Sequence, residues 1–331
     1  MRPMRKFLLR RFSIMLVSLF AMSFVSFVII ELPPGDYLTM YIKRLELQGE
    51  VVDEARISSL QVQYGYGQPF VVKYFKWVRG IVTRGDFGRS WQWKQSVVSL
   101  LAQRLPFTVL LSLCTILFTY LVAIPIGIYS ATHQYSIGDY IATFLGFVGL
   151  ATPSFLLALF LMYQLFVNLG IPPGGLFSEQ YRDAAWSFAK LWDLIQHLVV
   201  PVLVTGLAGT AYTIRSVRAT LLDELSKDYV ETARVRGLPE MRVLMKYPVR
   251  VALNPLWSSI SWILPGIVSG STIVDVVLNL PTVGPLLLAS LKSQDMYLAG
   301  SIVLIMTLMT LVGTLLSDIV LSMTDPRIRF E

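Results

Sequence analysis

Six apolar runs, each long enough to cross a lipid bilayer, constrain this chain more than any other feature. A hydrocarbon core of about 30 Å needs about 20 helical residues to span it, and lipid tolerates only helices and closed barrels. The composition agrees, because 54% of the 331 residues are hydrophobic and 15% are charged, whereas roughly a quarter are charged in soluble domains. We predict an all-α membrane protein with six transmembrane helices, at residues 12–30, 107–130, 138–167, 197–214, 256–280 and 298–321.

The distribution of lysine and arginine predicts how these helices are oriented. Basic residues accumulate on the cytoplasmic side of membrane proteins. The two termini and the loop 215–250 together carry fifteen, against three in the short loops 168–196 and 281–297. Both termini are therefore predicted to be cytoplasmic, and the long loop 31–106 to face outward. The same bias explains the net charge of +7 without a nucleic-acid partner.

The long outer loop is predicted to be a small helical cap rather than a linker. Turn signals divide it, including Gly85-Asp86-Phe87-Gly88. Short helices are predicted at residues 37–48, 53–64 and 70–82. The predicted organisation is a cytoplasmic tail with the first helix (1–30), the outward-facing cap (31–106), and a five-helix core with the cytoplasmic loop 215–250 (107–331).

The cytoplasmic loop between the fourth and fifth spans carries the clearest local signals. Asp228 and Glu231 have the spacing of an N-cap residue and its N3 partner in a capping box. Gly237 suits the position just after a helix, and Pro239 cannot continue that helix. The spacing predicts a two-turn helix over 229–236 and a second helix starting at Pro239. Such a pair is either a docking device for a cytoplasmic partner or a solvated connector.

Carboxylates inside membrane spans indicate function by default, because inserting one at the bilayer centre costs about 2.5–3.5 kcal/mol. Asp275, in the outer half of the predicted fifth span, is the best candidate for a residue that faces a water-filled path through the membrane. The alternative is a buried hydrogen bond that fixes helix packing. Asp139, at the start of the third span, is expected to cap its helix.

Common catalytic motifs are absent from the sequence. No Gly-Lys dipeptide occurs, so the chain has no phosphate-binding GxxxxGK[ST] loop. The two histidines, His133 and His197, do not form an HExxH zinc motif, and no GxSxG nucleophile elbow occurs. We predict a protein that is not an enzyme, with no catalytic residue, bound metal or bound cofactor.

Several short segments spread over the chain form a specific combination. Glu231-Thr232-Ala233 followed by Gly237 resembles the EAA loop of ATP-binding-cassette (ABC) importer permeases, with threonine at the first alanine. Taken end to end, the chain resembles the dipeptide, oligopeptide and nickel permease family, in the subunit type with the longer outer loop. The other matching segments are Gly85-Asp86-Phe87-Gly88, Ala151-Thr152-Pro153-Ser154-Phe155, residues 228–234 and Asp325-Pro326-Arg327-Ile328-Arg329.

The resemblance implies a division of labour within a larger transporter. This chain would form half of the translocation pathway, together with a homologous second permease. Two ATPase subunits, which hold the ATP and Mg²⁺, would dock from the cytoplasm, and an extracytoplasmic binding protein would deliver substrate. The location would be the lipid of a bacterial or archaeal plasma (inner) membrane. Short oligopeptides, short oligosaccharides and nickel complexes stay open as substrates, because residues 31–36 look more like an oligosaccharide-carrying branch.

The resemblance also implies roles for residues of the cytoplasmic loop. Residues 229–237 would be the coupling helix, in which Glu231 orients or pairs with the ATPase. Ala233 would allow close contact, and Gly237 would permit the turn. The remaining residues of the predicted docking set are Tyr229, Thr232 and Arg234. The competing hypothesis is an ion-coupled secondary transporter, which would need coupling carboxylates near the membrane midplane.

Overall fold

The computed structural model describes residues 2–31, 69–90, 92–170, 174–259 and 272–324. In these ranges the chain is helical, without strands apart from one isolated antiparallel bridge between Arg89 and Ser96. The predicted helices at 37–48 and 53–64 lie outside the described residues. The helices are α1 (Arg2–Glu31), α2 (Phe70–Arg84), α3 (Val97–Thr132), α4 (Ile137–Ala151), α5 (Ser154–Leu169), α6 (Glu179–Arg182), α7 (Phe188–Leu225), α8 (Asp228–Val235), α9 (Glu240–Lys246), α10 (Pro248–Ala252), α11 (Thr272–Val277), α12 (Val283–Lys292) and α13 (Met296–Thr324).

Within the described ranges, four helices are long and apolar enough to cross a membrane, namely α1, α3, α7 and α13. The predicted third span, 138–167, is not one continuous helix, because α4 and α5 meet at 102°. Thr152 has an extended backbone and Pro153 precedes α5, as expected where a proline restricts its predecessor and lacks an N–H. Residues 260–271, about half of the predicted fifth span, lie outside the described ranges, so the total of six spans stays a prediction.

One compact unit consists of Met1–Phe7, Phe107–Pro281 and Thr310–Glu331. Helix α7 is its central element and contacts α4, α5, α10 and α11. The main core of this unit contains a run of buried residues from α7, including Leu198, Val202 and Val204, packed with Leu111 and Leu278. The long helix α7 therefore connects most of the described elements of this unit.

A second compact unit consists of Leu8–Pro106 and Thr282–Met309. In it the aromatic face of α2 packs on α1, where Phe27, Tyr74 and Trp77 are buried. The predicted helix at 70–82 is confirmed as α2, and it ends at Gly85 in the left-handed conformation, with φ of +64°. The separate cap over residues 31–106 stays a prediction, since residues 32–68 lie outside the described ranges.

Candidate functional site: the α8–α9 hairpin

The predicted cytoplasmic loop folds into two short helices, α8 and α9, which we call the α8–α9 hairpin (residues 228–246). Helix α8 begins at Asp228, and Lys227 is the N-cap residue, without a side-chain capping bond. The predicted capping box was therefore wrong, because Asp228 is already helical and Glu231 does not cap. The two carboxylates still lie in the first turn, with Arg234 in the last turn. This arrangement complements the helix dipole.

Gly237 shapes the turn between the two helices. Its φ is +74°, in the left-handed region that glycine adopts without penalty. Its N–H donates to the Arg234 carbonyl oxygen at 2.9 Å, and a Cβ placed on Gly237 would have no neighbour within 4 Å. The predicted position of Gly237 just after the helix is confirmed. Its need for glycine arises from backbone conformation alone.

The inner face of the hairpin is a small apolar cluster. Val230, Ala233 and Val243 are buried there, packed against the half-buried rings of Tyr229 and Tyr247. Ala233 is 5% exposed, so the contact that its small side chain permits in this structure is between α8 and α9. Its expected part in docking an ATPase stays a prediction, and it would act through this packing.

An ion pair closes the hairpin on its outer side. The Arg234 guanidinium donates to the Glu240 carboxylate through Nε at 3.2 Å and through Nη2 at 2.8 Å. This guanidinium holds the pKa of Glu240 below its ordinary value, and the carboxylate raises the pKa of Arg234. Arg234, which belongs to the predicted docking set, is therefore already engaged within the chain.

Three contacts attach the hairpin region to α7. The Tyr229 hydroxyl donates to the Glu224 carboxylate at 2.5 Å, and the Thr220 hydroxyl donates to the Ala252 carbonyl oxygen at 3.0 Å. Helix α10 packs on α7 in a cluster that includes Leu221 and Val249. The sequence analysis missed Glu224. Its only signal was an acid five residues before a tyrosine, which is not a helix-face spacing.

A buried ion pair joins α4 to the same part of α7. Arg218 donates to both carboxylate oxygens of Asp139, at 3.0 and 2.9 Å, and Asp139 is 3% exposed. Asp139 also accepts the Tyr135 N–H at 3.1 Å, while Ser136 is the N-cap residue of α4. The expected capping role of Asp139 was wrong, because Ser136 holds the N-cap position and Asp139 lies inside the first turn of α4. Its arginine partner, 79 residues away, had no local sequence signal.

The side of the hairpin turned away from its apolar cluster, which we call the outward face of the hairpin, combines acidic and apolar side chains. Glu231 and Thr232 are exposed, and Glu231 makes no side-chain hydrogen bond within the described part of the chain. The exposed fractions are 83% for Val235, 69% for Met241 and 51% for Met245. The sequence analysis missed these three apolar residues, although Met241 and Met245 have the four-residue spacing of one helix face.

The remaining candidate, Asp275, lies in α11 and is 2% exposed. Helix α11 contacts α5 and α7, whereas the six predicted docking residues all lie in the hairpin. Among the described residues, no group of three His, Cys, Asp or Glu could hold a metal ion. The structure thus brings together the docking set and leaves Asp275 as a separate candidate.

Comparisons with known proteins place the chain in a family. Residues 123–330 match the family described as "Binding-protein-dependent transport system inner membrane component", and residues 4–113 match the corresponding N-terminal family. The oligopeptide transport system permease protein AppB of Bacillus subtilis is 34% identical, over 99% of this chain and 100% of the relative. A putative peptide permease protein of Brucella ovis is 30% identical, over 98% and 99%. The inner membrane ABC transporter permease protein YejB of Escherichia coli is 28% identical, over 99% and 100%.

These matches cover nearly the whole chain and give no support to the ion-coupled alternative. The proteins of this family are non-catalytic inner-membrane subunits that work with ATPase and substrate-binding partners. The chain belongs to the family of binding-protein-dependent transport system inner membrane components, and it is a permease subunit of an ABC importer.

Proposed function

We propose that this chain forms half of a translocation pathway for short oligopeptides and that the outward face of the α8–α9 hairpin binds a separate ATPase subunit. The names of the Bacillus and Brucella relatives favour peptides over the oligosaccharides that residues 31–36 suggested. The observation that carries the docking proposal is the exposed group of Glu231, Val235, Met241 and Met245 on a braced hairpin.

The chemistry of this face suits a protein partner. The four-residue spacings of Glu231 with Val235 and of Met241 with Met245 put each pair on one helix face, and methionine adapts to the shape of the surface that it contacts. The hairpin beneath is braced by the Arg234–Glu240 pair and by the bond between Tyr229 and Glu224. A force applied to the face is therefore expected to reach α7 rather than deform the hairpin.

The proposed assembly follows from this docking. A homologous second permease completes the pathway, two ATPase subunits hold the ATP and Mg²⁺, and an extracytoplasmic binding protein delivers peptide. Both termini lie on the ATPase side, and residues 31–106 lie on the opposite side. The asymmetry of fifteen basic residues against three supports this orientation.

The docking proposal is tested by placing a charge in the exposed face. In Val235→Glu an unpaired carboxylate would be buried against the ATPase, which should weaken association at least tenfold. The matched control is Val82→Glu in α2, since Val82 is 79% exposed and is predicted to lie on the other side of the membrane. Both variants are purified in mild detergent, and co-purifying ATPase is quantified.

We expect Val235→Glu to lose the ATPase and ATP-driven uptake, and Val82→Glu to retain the ATPase. A full complement of ATPase on Val235→Glu would overturn the docking proposal. In proteoliposomes, the wild-type complex should take up labelled oligopeptides. Uptake of oligosaccharides with none of peptides would overturn the substrate proposal while leaving the docking intact.

A further inference from the structure

Helices α4 and α7 approach each other closely through glycines of α4. A Cβ added to Gly149 would lie 3.1 Å from Leu207 Cγ, and one added to Gly146 would lie 3.7 Å from Ala211 Cβ. Residue numbers fall along α4 as they rise along α7, so the two helices run antiparallel. Small residues allow helices in a membrane to come this near, but a glycine has no side chain that interlocks with its neighbour. The glycine contacts therefore leave the position of α4 along the axis of α7 only weakly determined.

The ion pair between Asp139 and Arg218 determines this axial position. It lies seven residues from each partner of the Gly146–Ala211 contact, which is about two turns of either helix. Both carboxylate oxygens accept from the guanidinium, at 3.0 and 2.9 Å, and such a twofold contact constrains direction as well as distance. The carboxylate also accepts the Tyr135 N–H at 3.1 Å. A slide of α4 by one residue, about 1.5 Å, would disrupt this geometry.

The same end of α7 holds the hairpin region. Arg218 precedes Thr220 by two residues and Glu224 by six, and these two side chains make the bonds to α10 and α8. Less than two turns of helix thus separate the ion pair from the hairpin. A displacement of the hairpin is therefore expected to reach Arg218 before the rest of α7, and to act on α4 through Asp139.

The other end of α4 is not continued by α5. Thr152 and Pro153 interrupt the helix, and the axes of α4 and α5 differ by 102°. A force along the axis of α4 is therefore not transmitted straight into α5. The contacts of α4 with α7 are left to determine how α4 moves.

We propose that Asp139 and Arg218 are positioning residues that keep α4 in register with α7, so that the two helices move together when an ATPase displaces the hairpin. Loss of the pair then leaves ATP hydrolysis in place and reduces the amount of peptide moved for each ATP. The inference rests on the function proposed above. A failure of docking is recognised separately, because it removes the ATPase from the purified complex.

The first test joins the two helices covalently. In Gly146→Cys with Ala211→Cys the two Cβ atoms would lie about 3.7 Å apart, within the range of disulfides. Cys114→Ala removes the single native cysteine, and mass spectrometry confirms the new bond. We expect the oxidised complex to keep the ATP-driven peptide uptake of the reduced complex. Loss of uptake on oxidation would show that α4 slides along α7 and would overturn the inference, as would failure of the two cysteines to pair.

The second test removes the charge of Asp139. Asp139→Asn keeps the size of the side chain, and it is made both in the native chain and in the chain with the cysteine pair. Losing a hydrogen bond between charged groups shifts an equilibrium about tenfold or more, so the ratio of peptide uptake to ATP hydrolysis should fall severalfold. Oxidation of the cysteine pair should restore this ratio. A variant that was only less stable would lose uptake and hydrolysis in the same proportion, which leaves the ratio unchanged.

The matched control is Asp193→Asn. Asp193 is also a buried carboxylate of α7, 7% exposed, but it accepts from Ser178 and should leave the ratio unchanged. The positioning role would be overturned by an unchanged ratio in Asp139→Asn, by a low ratio that the disulfide does not restore, or by an equal fall in Asp193→Asn. If Asp139→Asn does not assemble, the cysteine pair with native Asp139 decides the question. A wild-type complex that takes up no peptide would instead overturn the proposed function.

Discussion

Substitution of Gly237 isolates the conformational requirement of the α8–α9 hairpin. With φ at +74° and no atom within 4 Å of an added Cβ, alanine meets backbone strain and no steric clash. That strain is about 1 kcal/mol, a factor of about five in the equilibrium between the closed and the open hairpin. Asparagine tolerates the left-handed region and should cost about half as much. Proline fixes φ near −65° and loses the 2.9 Å bond to Arg234, so it should cost about 3 kcal/mol or more.

Hydrogen exchange of the hairpin amides and co-purification of ATPase measure this series. The protection of the hairpin amides against exchange and the amount of co-purified ATPase should both decline in the order Gly, Asn, Ala, Pro at position 237. The matched control is Gly85→Ala, because Gly85 has φ of +64° and likewise no atom within 4 Å of an added Cβ. It should weaken the end of α2 by a similar amount while ATPase binding is retained. Equal protection in the Ala and Asn variants, or full ATPase binding by the Pro variant, would refute the reasoning.

Three further predictions concern charged groups. Asp139→Leu leaves the Arg218 guanidinium without its buried partner and should lower stability by about 3 kcal/mol, and adding Arg218→Met should recover part of this in thermal unfolding. Because the folded-state pKa of Glu240 is lowered by Arg234, that pair contributes fully above the ordinary carboxyl pKa and is lost as pH falls through the lowered value. Both side chains are exposed, so the change in hairpin protection factors should be at most about 1 kcal/mol and should vanish in Glu240→Gln. Lys190→Met removes the donor to the carbonyl oxygens of Arg182 and Ala184 and should cost about 1–2 kcal/mol, seen as faster proteolysis of the segment between α6 and α7.

The sequence predicted the apolar helices well and their ends poorly. The fourth span was expected at 197–214, whereas α7 runs over Phe188–Leu225. Hydropathy detects only the part of a helix that lipid surrounds. The extensions carry polar residues, such as Lys190 at one end and Glu224 at the other, which are satisfied by contacts with the protein. Those contacts form only in the folded chain, so no local pattern could mark the true ends.

The hairpin shows which site features are local. Gly237 was predictable because a positive φ selects its residue type at one position. The Arg234–Glu240 pair spans a turn, and the Asp139–Arg218 pair joins distant helices. Neither ion pair could therefore be predicted without the folded structure. The outward face was missed for another reason. Helix α9 has seven residues, about two turns, which is too short for its apolar residues to reveal which side is buried.

The geometry of α7 determines how far a displacement of the hairpin would spread. Its 38 residues extend about 57 Å, nearly twice the hydrocarbon core of about 30 Å. His197 lies toward one end, and Thr220 and Glu224, which hold the hairpin region, lie toward the other. Breaking helical hydrogen bonds in lipid costs several kcal/mol for each group left unpaired, so the helix resists bending except near Pro201, where one bond is already missing. A displacement of the hairpin by an ATPase is therefore expected to travel along this single helix, with any bend concentrated near Pro201.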